Sequence, residues 1–97
     1  MEIIWTKQAL SKLNKFIDYI ARDDAATAEK WGMDLIEKTD QLIEHPESGR
    51  IVPEYNDPSL RELVFGNYRL IYRIRKDENT IYIQTVWHVR QQPPEIF

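Results

Sequence analysis

The sequence predicts an α+β domain: a short N-terminal strand, then an antiparallel helical hairpin packed on a small antiparallel sheet with three C-terminal strands. Three observations carry this prediction. Apolar residues recur at three- and four-residue intervals from Ala9 to Ile43, with one break at Arg22-Asp23-Asp24. From Arg61 onward the pattern changes to alternation, punctuated by Gly66-Asn67 and Lys76-Asp77-Glu78-Asn79. The chain has 97 residues, enough for a single core, so residues 1–97 are expected to form one domain.

Glu2-Ile3-Ile4-Trp5 is rich in β-formers and reads as the first strand. Thr6 follows as a helix N-cap, with Trp5 and Leu10 at hydrophobic-staple spacing. Ala9, Leu10, Leu13, Phe16, Ile17, Ile20 and Ala21 then form one apolar stripe, while Lys7, Ser11, Lys12, Lys15 and Asp18 fall elsewhere. Asp23 or Asp24 caps a second helix, whose period runs through Ala25, Ala28, Trp31, Leu35, Leu42 and Ile43 to about His45, where Pro46 stops it. So short a link makes the two helices an antiparallel pair, and Gly32 is expected to let the first helix approach closely. Residues 46–58, with Gly49, Pro53, Asn56 and Asp57, read as a connector crossing the sheet's rim. Three strands follow, at Arg61–Phe65, Tyr68–Arg75 and Thr80–Arg90, and the tail from Gln91 to Phe97 is expected to be extended or loose.

The turns fix a register. A two-residue loop pairs Phe65 with Tyr68, Leu63 with Leu70 and Arg61 with Tyr72. A four-residue turn pairs Arg75 with Thr80, Ile74 with Ile81, Tyr72 with Ile83 and Tyr68 with Trp87. One face then carries Leu63, Phe65, Tyr68, Leu70, Tyr72, Ile74, Ile81, Ile83 and Trp87 as the core. The other gathers Glu62, Val64, Arg69, Ile71, Arg73, Arg75, Tyr82, Gln84, Val86, His88 and Arg90.

Composition removes whole classes of function. Hydrophobic residues at 42% and charged residues at 30% exclude disorder. No cysteine is present, so disulfide scaffolds, Cys-ligated zinc and Cys nucleophiles are excluded, and two histidines do not suggest a metal site. No cofactor is expected. No apolar run approaches the ~20 residues of a membrane span, and the N-terminus lacks a signal peptide's plan. The expectation is a soluble, cytoplasmic chain. Its net charge of −3 resides in residues 1–45; the remainder is balanced, yet the segment from Leu60 to Lys76 is basic, with Glu62 its one acid. A general nucleic-acid coat is therefore disfavoured, whereas one short segment could grip phosphate or an acidic protein.

The polar face is the informative part. Arg69, Arg73, Arg75 and Arg90 are planar forks suited to carboxylate or phosphate, and Arg stacks on rings such as Tyr82. Arg73 and Arg75, beside a turn, fit an ordinary solvated sheet face. Arg69, flanked by Val64, Ile71 and Val86, needs a partner, and Glu62 is the nearest candidate. His88 could serve as a general acid, a common role of imidazole, although an exposed or capping histidine explains it more simply. Glu62 or Glu54 could act as a base or balance the arginines. Gly49-Arg50-Ile51-Val52-Pro53-Glu54 has too few glycines for a phosphate loop.

In order and spacing, several phrases resemble the RelE/ParE superfamily of type II toxins. They are Trp5-Thr6 with Ala9 and Leu13, Tyr19-Ile20, Pro46 to Glu54, Leu60-Arg61-Glu62-Leu63, Gly66 to Ile74, and Val86 to Gln91. The resemblance spans nearly the whole chain, and the Gly-Arg…Pro-Glu connector and His-x-Arg ending look closer to the ParE branch. It implies a growth-inhibiting toxin of the plasmid-stabilisation kind, neutralised in a hetero-oligomer by a cognate antitoxin. ParE-like members inhibit DNA gyrase; RelE-like members cut mRNA on the ribosome. The gyrase-directed, non-enzymatic form is the expectation. Arg61, Arg69, Arg73, Tyr82, His88 and Arg90 are the candidate target- or antitoxin-binding residues. Under the endoribonuclease alternative, Arg69 would stabilise the phosphate, His88 would act as acid, and Glu62 or Glu54 would act as base.

Overall fold

Thr6 begins the architecture as expected. Its Oγ1 accepts the Ala9 N–H at 3.2 Å and donates to the Ile83 carbonyl at 2.8 Å, so the helix cap is tied to the last strand. The computed structural model describes residues 1–91, in the order β1 (Glu2–Trp5), α1 (Lys7–Ala21), α2 (Ala25–Lys38), α3 (Gln41–Glu44), β2 (Arg50–Ile51), β3 (Leu60–Phe65), β4 (Tyr68–Arg75) and β5 (Thr80–His88). The expectation for the tail beyond Gln91 lies outside the described residues.

Asp24 caps α2 by accepting the N–H groups of Ala26 and Thr27. At Gly32 a Cβ would stand 2.8 Å from Ile17 Cδ1, so the missing side chain does let α1 press close. The second helix is shorter than predicted. Thr39 Oγ1 donates back to the Ile36 carbonyl at 2.6 Å, α2 ends at Lys38, and α3 restarts at Gln41 to bury Leu42. A threonine hydroxyl bonding its own helix backbone competes with continuation of that helix.

The sheet is five-stranded and mixed, in the order β1-β5-β4-β3-β2, with β1 parallel to β5 and the other pairs antiparallel. Both hairpin registers agree with the sequence for Phe65–Tyr68, Leu63–Leu70, Arg61–Tyr72, Arg75–Thr80, Ile74–Ile81 and Tyr72–Ile83. The pairing of Tyr68 with Trp87 is corrected. Ile71 pairs with Thr85 while Tyr72 pairs with Ile83, which leaves Gln84 as one extra residue, a β-bulge. Beyond it each side chain changes face, and Tyr68 meets His88. Val86 therefore joins the helix-side core of Leu13, Leu35, Leu63, Leu70, Tyr72 and Ile83. Trp87, expected there, lies on the opposite face.

That opposite face is not the open surface that alternation suggests. The connector folds onto it rather than skirting the rim, and Val52 and Leu60 bury with Ile71 and Trp87 in a second small core beside Tyr55. Within the connector, β2 adds an edge strand, with Arg50 opposite Glu62 and Ile51 opposite Arg61. Gly49 makes that approach possible. A Cβ there would lie 2.5 Å from the Glu62 carbonyl oxygen and 2.6 Å from the Tyr72 hydroxyl. That hydroxyl accepts the Gly49 N–H at 3.0 Å and donates to the Pro46 carbonyl at 2.7 Å.

Candidate functional site

Arg69, the second residue of β4, stands opposite Trp87 of β5 and Val64 of β3, on the face covered by the connector. Its guanidinium carbon lies 4.2 Å from the Trp87 ring centroid. Every edge of the guanidinium is engaged. Nη1 and Nη2 donate to the two Glu54 oxygens at 3.0 and 2.8 Å, and Nε donates to Glu62 Oε1, which Nη2 also approaches. The second Glu62 oxygen accepts from Arg50 Nε. Glu62 has no exposed side-chain surface, whereas the Arg50 side chain is 60% exposed. The result is a chain of alternating charges, Arg50–Glu62–Arg69–Glu54, running from solvent across the covered face of the sheet and out again. Its bidentate bond to Arg69 holds the Glu54 carboxyl below its ordinary pKa, and the same bond raises that of Arg69.

Glu62 is thus the partner expected for Arg69, and Glu54 also balances the arginines. Arg73 donates to Ser59 Oγ at 3.1 Å and to Asp57 at 3.3 Å. The Asp57 carboxyl is held low first by the Ser59 backbone N–H, with the Ser59 hydroxyl and Arg73 adding to it. Arg75 pairs with Asp77 and Glu78, and Tyr82 donates its hydroxyl to Glu78 Oε1. Arg61 is a clamp rather than a free group: its guanidinium donates to the Pro58, Glu47 and Gly49 carbonyls.

His88 and Arg90 are not part of this assembly, contrary to the predicted face. The bulge turns His88 onto the helix side, where its ring meets Tyr68 edge-on with centroids 5.0 Å apart. Its Nδ1 accepts the Arg90 N–H at 3.1 Å. Both residues line a cleft against α1. Arg69 and Glu62 are therefore adjacent, but His88 is separated from them by the thickness of the sheet. Sequence reasoning missed Trp87 as the platform under Arg69 and Arg50 as the second partner of Glu62. The signal for the first was the adjacent pair Val86-Trp87, two large apolar groups that cannot share one face of an unbroken strand. Among the described residues no cluster of three or more His, Asp or Glu could hold a metal ion, and no helix is long and apolar enough to cross a membrane.

Residues 3–93 match the family model described as ParE toxin of type II toxin-antitoxin system, parDE. The chain is 36% identical over 96 residues to Y4kP of Sinorhizobium fredii strain NGR234, a protein described as a candidate toxin. That match covers 97% of this chain and 94% of the relative. In fold, it superposes on the chromosomal ParDE system of P. aeruginosa with a TM-score of 0.76 at 22% identity, covering 93% of this chain and 97% of that one. For the isolated E. coli RelE toxin the TM-score is 0.64 at 16% identity, with 94% and 86% covered. It is 0.63 at 16% identity for the E. coli RelBE toxin-antitoxin complex, with 93% and 98% covered. The predicted α+β fold and its lean toward the ParE branch agree with these likenesses. By the family match over nearly its whole length and the identity to a curated relative, the chain belongs to the ParE toxin family of type II toxin-antitoxin systems.

Proposed function

We propose that this toxin acts as a protein-binding inhibitor of DNA gyrase rather than as a nuclease. The observation that carries the reading is the division of the nuclease candidates. Arg69 and Glu62 are spent on each other and on Glu54 and Arg50, while His88 lies on the other side of the sheet. General acid catalysis needs the acid within hydrogen-bond reach of the reacting group that the arginine holds. A net charge of −3 also opposes approach to ribosomal RNA, where binding is dominated by phosphate neutralisation. The test is induction in cells with plasmid topology and message length followed together. Relaxed plasmid and intact messages are expected; codon-positioned cuts within minutes, with normal supercoiling, would replace this reading by the ribosome-dependent endoribonuclease.

The same proposal includes a cognate antitoxin, bound in the cytoplasm in a hetero-oligomer. Met33 and Ile36, one turn apart on α2, are 62% and 46% exposed, and Ile43 on α3 is 47% exposed. This outer apolar surface suits an amphipathic helix, and β1 pairs on one side only among the described residues, which suits an added strand. The RelBE structure that shares this fold is a toxin-antitoxin complex. The product of a neighbouring reading frame should co-purify with the chain in mild salt, and Met33→Asp with Ile36→Asp should release it.

A further inference from the structure

The geometry points to a binding site for a phosphorylated nucleoside in the cleft between α1 and the C-terminal end of β5, on the face opposite Arg69. The cleft encloses about 490 Å³, within the range of small-ligand sites. Its α1 wall is a single stripe, because Lys12, Lys15 and Tyr19 recur at three- and four-residue spacing. Tyr68, His88 and Arg90 form the other wall.

Among the described residues, no carboxylate lines this cleft. The contrast with the far face is chemical: Arg50, Arg69, Arg73 and Arg75 are all paired with the chain's own acids. The side chains of Lys12, Lys15 and Arg90, by comparison, make no ion pair or hydrogen bond with any described residue. His88 adds a donor. Because Nδ1 accepts the Arg90 N–H, the ring hydrogen sits on Nε2. Three cations and an N–H donor without an acceptor among them suit a phosphate, with its double charge and three acceptor oxygens, better than a single carboxylate. The aromatic wall supplies the rest of the ligand's chemistry. Tyr19 is 64% exposed, and Tyr68 lies edge-on to Phe16 with centroids 4.9 Å apart. Rings beside a phosphate-binding donor set give a nucleobase a surface to stack on.

This site is independent of which macromolecule the toxin inhibits. Its ligand could be a free mononucleotide or the phosphorylated end of a strand, which present the same group. The test is calorimetric titration of the full chain with AMP, adenosine, inorganic phosphate and a 5′-phosphorylated trinucleotide. AMP is expected to bind with a Kd of about 0.1 mM or tighter, with adenosine and inorganic phosphate each at least about tenfold weaker. Lys12→Ala with Lys15→Ala should weaken AMP by about 10–100-fold without changing the melting temperature. Lys12→Arg with Lys15→Arg should retain affinity, as should Lys7→Ala outside the cleft. A trinucleotide tighter than AMP assigns the site to a strand end; the reverse order assigns it to the free nucleotide. No heat up to about 5 mM AMP, or an affinity undiminished in the double alanine variant, would overturn the proposal.

Discussion

Replacing Arg69 with alanine probes the charge chain at its centre. The substitution strands Glu62, whose side chain has no exposed surface, with only the half-exposed Arg50 to balance it. Removing one member of a buried ion pair costs about 3–5 kcal/mol, because the remaining charge stays desolvated. Arg50 offsets part of that cost, while loss of the cation over Trp87 adds about 1 kcal/mol. A net destabilisation of about 3 kcal/mol lowers the melting temperature of a domain this size by on the order of 12–24 °C. The assay is thermal unfolding followed by circular dichroism. A second variant separates buried charge from lost packing. Arg69→Met with Glu62→Leu removes both buried charges and leaves Glu54 and Arg50 free to turn to water, so it should recover most of the loss. A melting point for Arg69→Ala within about 3 °C of the parent, or a double variant no better than the single, would refute the buried-charge account.

Three further outcomes follow from the same geometry. Gly49→Ala forces a methyl against the Glu62 carbonyl and the Tyr72 hydroxyl and should cost about 1–3 kcal/mol in urea unfolding, whereas Gly66→Ala, in open space, should cost less despite its positive φ. Glu54 and Asp57 have folded pKa values below their unfolded ones, so the stability they add is present above about pH 4.5 and is lost as pH falls through the folded values. Urea midpoints measured between neutral pH and pH 3 should therefore fall on the acid side, and Glu54→Gln should flatten part of that slope. His88→Gln should keep substantial growth inhibition when induced, since a binder has no proton-transfer step, whereas an enzyme using His88 as its acid would lose about 10²–10⁴-fold.

How far the sequence discloses the fold depends on whether local chemistry or distant packing decides each feature. Thr6 and Asp24 are caps whose side-chain bonds lie within three residues, so they are readable from composition alone. The Gly66-Asn67 turn likewise sets the register that brings Glu62 and Arg69 to the same face. The bulge at Gln84 is different, because Thr85-Val86-Trp87 does not alternate and the choice depends on which face can bury each ring. Two site assignments, His88 and Arg90, depend on that one residue. The connector's fold over the far face is equally hidden. Val52, Tyr55 and Leu60 have no common period, and only the finished sheet presents Ile71 and Trp87 for them to cover.

The proposed inhibition of gyrase by binding requires no mRNA-cutting chemistry. Purified chain added to a reconstituted gyrase supercoiling reaction tests it most directly, with the antitoxin added in a second arm. Dose-dependent loss of supercoiling is expected, reversed by the antitoxin and largely preserved with His88→Gln. Undisturbed supercoiling at saturating toxin, alongside cleavage of message in a translating ribosome extract, would contradict it.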